Sequence, residues 1–156
     1  MSHDMYLKVD GVNGESKDAS HSGWTDITSF SWGASQNGNN GGSVGKVNFS
    51  DLHVIARIDK SVSALMKYCA TGKHVNKVEL SLCRASGEQT EYARVTLEDV
   101  LVTSVDYSGV NKTEELTMTY SFQAAKIRQQ YWEQTRTGQR GAETSMGWDI
   151  KENREI

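Results

Sequence analysis

Residues 24–33, Trp-Thr-Asp-Ile-Thr-Ser-Phe-Ser-Trp-Gly, put two unlike faces on one predicted strand. Side chains alternate across a strand, so one face carries Trp24, Thr28, Phe30 and Trp32, and the other Ile27, Ser29, Ser31 and Gly33. The aromatic face reads as core. The smooth, uncharged face reads as the lining of a cavity or a contact with another subunit, and the pattern carries the strand on to about Gln36, through Ser35. The same contrast returns where Thr117, Thr119, Ser121 and Gln123 alternate with Leu116, Met118, Tyr120 and Phe122. A solvated outer sheet face usually recruits Lys and Glu, and neither run contains any. Ser29, Ser31 and Ser35 on one strand, and Thr117, Thr119, Ser121 and Gln123 on the other, are therefore candidates for the lining of a cavity or for an interface.

The rest of the pattern frames these strands. Residues 6–9 read as a short opening strand, and 10–23, polar and holding three glycines, as a long loop. Residues 37–43, Asn-Gly-Asn-Asn-Gly-Gly-Ser, offer nothing to a core and read as an exposed arm. Across 44–58 the apolar positions change from odd (Val47, Phe49) to even (Leu52, Val54, Ala56, Ile58), which predicts a β-bulge near Ser50 and Asp51. A second slip, from Leu116, Met118, Tyr120, Phe122 and Ala124 to Ile127 and Tyr131, predicts a bend near Ala124 and Ala125. One helix is signalled: Val62, Leu65, Met66 and Cys69 fall at i, i+3, i+4 and i+7, with Asp59 or Ser61 before them and Gly72 after, over about 61–71. Strands over 77–84 and 89–107, the first turning through Ala85, Ser86 and Gly87, complete the set. Many strands with glycine-rich turns and one helix predict a mainly β fold, a compact barrel or a sandwich of two sheets with one flanking helix.

Composition narrows the class. A chain of 156 residues suits one domain spanning 1–156 and buries enough surface to fold without disulfides or metals. Zero proline fits long, continuously paired strands. No apolar run approaches a membrane span, and the start has no basic region followed by an apolar one, so the chain is expected to begin in the cytoplasm with no membrane insertion. Net charge of −3 without a basic cluster argues against nucleic acid. Cys69 and Cys83 fall in apolar patterns and read as core thiols.

The search for reactive groups returns nothing with its required context. Gly41-Gly-Ser-Val-Gly45 fits the nucleophile-elbow spacing, yet a Gly/Asn loop precedes it where a strand is needed and a strand follows where a helix is needed. Gly45-Lys46 lacks both the first glycine and the following Ser or Thr of a phosphate loop. Cys69, His74 and Cys83 have no paired metal-ligand spacing. Glu98 and Asp99 are adjacent on a strand and point to opposite faces. Asn48-Phe-Ser and Asn111-Lys-Thr fit the glycosylation pattern, but without a secretory signal they read as chance. No catalytic residue, metal or cofactor is expected.

Several segments taken together resemble one family. Asp10-Gly-Val-Asn-Gly-Glu-Ser-Lys-Asp18, Phe30-Ser-Trp-Gly33, Gly45-Lys-Val47, Ile58-Asp-Lys60, Cys69-Ala-Thr-Gly-Lys-His74, Thr96-Leu-Glu-Asp-Val-Leu-Val102 and Gly147-Trp-Asp-Ile-Lys-Glu-Asn153 are similar, in matching order, to the haemolysin-coregulated proteins, Hcp, of bacterial type VI secretion. Members often place proline at the helix start, where this chain has Val62 and Ser63. The resemblance implies a β-barrel with a flanking helix, six copies of which close into a ring, with rings stacking into a tube inside a contractile sheath on a baseplate. It also implies a VgrG spike at the tip, small effector proteins carried in the pore, and release to the medium without a signal peptide. On that picture Ser29, Ser31 and Ser35 are pore-wall candidates that contact effectors, and Thr117, Thr119, Ser121 and Gln123 are interface candidates. The loops at Glu15, Lys17 and Asp18 and at Asn39 and Asn40 are candidates for stacking between rings. A closed ring needs two different complementary faces on each subunit. The rival expectation is a monomeric barrel that binds a small ligand or glycan, with Trp24 and Trp32 as a stacking platform.

Overall fold

Strand length decides this architecture. The computed structural model describes residues 3–38, 45–86, 88–113 and 116–156, and its elements run β1 (His3–Val9), β2 (Thr25–Ser31), β3 (Ala34–Ser35), β4 (Asn48–Phe49), β5 (Leu52–Arg57), α1 (Val62–Thr71), β6 (Val75–Ser86), β7 (Glu88–Ser108), β8 (Thr117–Gln134), β9 (Arg140–Asp149) and β10 (Arg154–Glu155). The antiparallel order β8-β5-β2-β1-β6-β7 returns to β8, so six strands close into a barrel, while β9 and β10 extend the sheet beyond it and β3 pairs with β4 apart from it. The barrel closes because β8 serves different neighbours along its length: residues 117–122 pair with β5, residues 126–134 pair with β9, and β7 lies along both stretches. Leu7, Leu52, Val54, Leu80, Leu97, Val100, Met118, Tyr120 and Phe122 fill the interior.

The bend predicted near Ala124 and Ala125 is present, and β7 shares it. Met118, Tyr120 and Phe122 point inward before it and Ile127 after it, while on β7 Val95 and Leu97 give way to Val100 and Val102. Both strands change phase between the pairs Glu98/Lys126 and Val100/Ala124. Asp99, at φ 51°, makes that change in the left-handed region, which non-glycine residues seldom occupy. Its carboxylate is tied on both sides, 2.7 Å from Nδ1 of His74 and 3.5 Å from Nζ of Lys151.

The hydrogen bond from His74, with the charges of His74 and Lys151 behind it, holds the Asp99 carboxyl below its ordinary range. A carboxyl depressed on folding contributes stability above its unfolded value, and loses it as pH falls through the folded one. Asp99→Asn keeps a residue that tolerates the left-handed backbone. Its thermal midpoint is expected to lie below the parent's at neutral pH, with the gap closing as pH drops below about 4. A gap constant across that range would show that the carboxylate's charge plays no part.

Two other expectations are corrected. The phase change at Ser50 and Asp51 is no bulge inside one strand: β4 ends at Phe49 and β5 begins at Leu52, the chain passing there from the small sheet into the barrel. The Ser50 hydroxyl donates to the Gly33 carbonyl and accepts from its N–H, pinning that passage. A bulge does occur in β2, where Thr28 is the extra residue between the Ile27/Ala56 and Ser29/Ile55 pairs. Ile27, assigned to the smooth face, is therefore buried, and Thr28, assigned to the core, is exposed and donates to the Ile55 carbonyl. Past the bulge Phe30 pairs with inward Val54 at the rim, 38% exposed, and Trp32 packs half-buried beside Phe49.

The helix forms where its spacing predicted, with Leu65 buried and Gly72 closing it at φ 68°, its N–H donated to the Tyr68 carbonyl. Both cysteines are free thiols, Cys83 buried and Cys69 half-buried.

Candidate functional site

The uncharged positions converge on one surface. Across the outer face of β2, β5, β8 and β7, the pairings align Ser29 with Ile55, Thr119 and Asp106, and Ser31 with His53, Ser121 and Ser104. A third row adds Arg57, Thr117 and Ser108. Ser29 and Ser31, predicted as a cavity wall, and Thr117, Thr119 and Ser121, predicted as an interface, thus belong to one strip four strands wide. His53 sets its Nδ1 2.7 Å from the Ser121 hydroxyl and covers that serine to 4% exposure. Arg57 and Asp106 bring opposite charges, and the rows hold neither Lys nor Glu. Gln123 lies beyond the end of β5, opposite Leu101. Ser35 is outside the strip because the chain breaks at Trp32 and Gly33 and Ser35 pairs with Asn48 in the small sheet. Among the described residues no strand pairs with 29–31 on the margin away from β5, nor with 103–108 on the margin away from β8. At each margin the strip therefore ends on a strand edge that no described strand pairs with, and α1 packs against β7.

The long loop of residues 10–24 turns inward instead of standing free. Glu15 accepts the Lys60 N–H on its carboxylate at 2.7 Å and donates its own N–H to Asp59. Gly14 sits where a Cβ would lie 2.4 Å from Thr25 Oγ1 and 2.6 Å from the Trp24 carbonyl, so only glycine lets the loop approach β2 this closely. Asp18 Oδ2 accepts the Ser20 N–H and lies 2.7 Å from His21 Nδ1. Two of the three stacking candidates in this loop, Glu15 and Asp18, are thereby engaged within the subunit. Lys17 remains exposed, and Asn39 and Asn40 lie outside the described residues.

Beneath the loop is a polar cluster that no local pattern announces. His21 is buried, stacked on Tyr6 at 4.2 Å and met edge-on by Trp24. Its Nε2 lies 2.9 Å from Ser81 Oγ. The Ser81 hydroxyl donates to Glu91 at 2.5 Å, and Glu91 also accepts from Arg94 and Arg140, at 2.8 and 2.6 Å. Burial raises the Tyr6 hydroxyl to about 12 and pushes the nearby Cys83 thiol up as well, so neither supplies a charge near neutrality.

Asp18, His21 and Ser81 stand in the order of a hydrolase triad, but the geometry does not carry that chemistry. Ser81 has no solvent exposure, and its proton is committed to Glu91 rather than to the ring. A nucleophile needs substrate within reach and a base to take its proton. The open grooves of about 820 and 470 Å³ lie around Asp99 and Lys151, and Ser81 lines neither. No group of three metal-ligating side chains occurs among the described residues. The two tryptophans of the glycan reading do not form a platform, since Trp24 holds His21 and Arg94 while Trp32 stacks on Phe49. Among the described residues no helix is long and apolar enough to cross a membrane.

Known proteins share this architecture and much of its sequence. Residues 6–131 match the family described as type VI secretion system effector, Hcp. Protein Hcp1 of Pseudomonas aeruginosa is 39% identical, over 98% of this chain and 98% of that one. The crystal structure of Hcp1 from Salmonella typhimurium is 31% identical, covers all of both chains and superposes with a TM-score of 0.86. A type VI secretion system effector from Yersinia pestis, 29% identical over 94% of this chain and all of that one, gives 0.77.

Proposed function

This chain belongs to the Hcp family of type VI secretion proteins, and we propose on that premise that it is the ring-forming subunit of the secretion tube, a non-enzymatic conduit and carrier for small effector proteins. The observation that carries the reading is the strip of Ser29, Ser31, Thr117, Thr119 and Ser121, with a strand edge unpaired among the described residues at each margin. Unlike edges that meet head to tail form a heterologous contact, and such contacts generate a ring when the rotation closes. Backbone pairing across that contact supplies directional hydrogen bonds without demanding a particular side chain. The strip then faces the lumen. Small hydroxyls offer hydrogen bonds to many cargoes, and Arg57 and Asp106 are the charged positions in its rows.

In this role the chain leaves the cell through the contractile apparatus, without a cleaved signal peptide, its partners being its own copies, the VgrG spike, the sheath and baseplate, and effectors in the pore. Size measurement tests the assembly first. The purified protein is expected to run near six times its 17.3 kDa subunit mass and to show annuli in electron micrographs. A monomer at tens of micromolar, with no annuli, would overturn the reading. Ser31→Gln tests the lumenal face: rings should form as in the parent, while effector capture weakens. Loss of the rings would place Ser31 between subunits instead.

A further inference from the structure

We propose that His21 carries protons on both ring nitrogens in the folded protein, and that this proton count latches the loop of residues 10–24 onto the barrel. The inference comes from counting donors. Glu91 accepts two guanidinium contacts, from Arg94 and Arg140, which makes it an ionised carboxylate able only to accept. The Ser81 proton must therefore lie on the 2.5 Å path to Glu91, since two oxygens do not approach that closely without one between them. Ser81 Oγ then presents a lone pair to His21 Nε2, 2.9 Å away, and that nitrogen must supply the hydrogen. On the other side Nδ1 lies 2.7 Å from Asp18 Oδ2, an oxygen that also accepts the Ser20 N–H. A second proton is needed there. A neutral imidazole has one N–H and satisfies only one of the two.

The surroundings suit a cation. Tyr6 from β1 stacks on the ring face at 10° between planes, and the electron-rich face of an aromatic ring attracts a positive charge. The charged or titratable groups packed around it are Asp18 on its own loop, Tyr6 on β1, Cys83 on β6 and Glu91 on β7, with Arg94 and Arg140 beyond Glu91 and Glu79 beyond Arg94. Ser81 and Glu91 are fixed in paired strands, whereas Asp18 and His21 belong to a loop. When the second proton leaves, a lone pair meets a lone pair, and the loop is the side that moves.

The test reads the ring nitrogens directly in the full chain. Nitrogen-15 NMR of the parent near neutral pH should show an N–H at both His21 positions. In Ser81→Ala the acceptor at Nε2 is gone, and one of the two N–H signals should be lost at the same pH. At the same pH the amides of residues 14–24 should exchange faster in His21→Gln than in the parent. A parent with one ring N–H near neutral pH would overturn the proposal, and so would two N–H signals surviving in Ser81→Ala. Should His21→Gln fail to fold, the Ser81→Ala spectrum decides alone. Neither readout depends on ring assembly.

Discussion

Phe122→Ala is expected to lower stability by about 3–5 kcal/mol, the cost of removing a large aromatic side chain from a packed core. Phe122 is 1% exposed and stands at the handover of β8, its last pair with β5 being Phe122/Leu52 and its first with β9 Lys126/Asp149. Leu52 and Val102, its partners on either side, are buried as well, so the cavity would open between three strands that cannot collapse without breaking their ladders. Domains of this size have a net stability of roughly 5–15 kcal/mol, and each kcal/mol moves the midpoint by roughly 2–4 °C. A fall of about 6–20 °C should appear in thermal melts. Gln123→Ala, next along the strand and exposed, should change stability by no more than about 0.5 kcal/mol. Equal, small effects at the two positions would mean that the handover is not the closing point of the core.

The same strand shows how far sequence reasoning reaches. The slip between Phe122 and Ile127 was legible because a change of face is a change of period, and period is written along the chain. So was the helix, ending at Gly72, although of the stripe Val62, Leu65, Met66 and Cys69 only Leu65 is fully buried and Met66 is exposed. The bulge at Thr28 was not legible, because Ser29, Phe30 and Ser31 alternate as an unbroken strand would, and one extra residue hides inside that alternation. The break between Phe49 and Leu52 gives the same signature as a bulge, and only the partners tell them apart: Ala34 pairs with Phe49, whereas Phe122 pairs with Leu52.

For the site, composition marked both halves of the strip, and the pattern even placed Ser29 with Ser31 and Thr117 with Thr119. It divided them between two surfaces, since nothing in either run reveals that β5 pairs with both. The His21 cluster left no trace at all. Its members come from residues 18, 21, 81, 91, 94 and 140, and a network closed by pairing between distant strands has no spacing to detect.

That network sets the second large effect. Glu91→Ala is expected to cost about 3 kcal/mol, the low end for breaking a buried charge pair, because the carboxylate is largely but not fully buried and its loss strands the inner partners. Glu91 is 12% exposed at the side chain and accepts from three donors on three different strands: Ser81 on β6, Arg94 on its own β7 and Arg140 on β9. Its partners are unequal. Arg140 is 45% exposed, so Arg140→Ala should cost no more than the ~1 kcal/mol of a surface pair. Arg94, less exposed and also bound to Glu79, holds the inner end, and Ser81 has no access to water at all. Most of the cost therefore falls on the inner side, and the Glu91/Arg94 coupling in a double-mutant cycle should exceed the Glu91/Arg140 coupling. Glu91→Gln keeps an acceptor but gives up the charge, and should fall between parent and Ala in denaturant unfolding. If Glu91→Ala and Arg140→Ala cost the same small amount, the cluster is only a surface ion pair. The loop of residues 10–24 would then be held by its remaining contacts, among them the Asp10 N–H donated to the Lys77 carbonyl, buried Val12 and the Glu15/Asp59 pair.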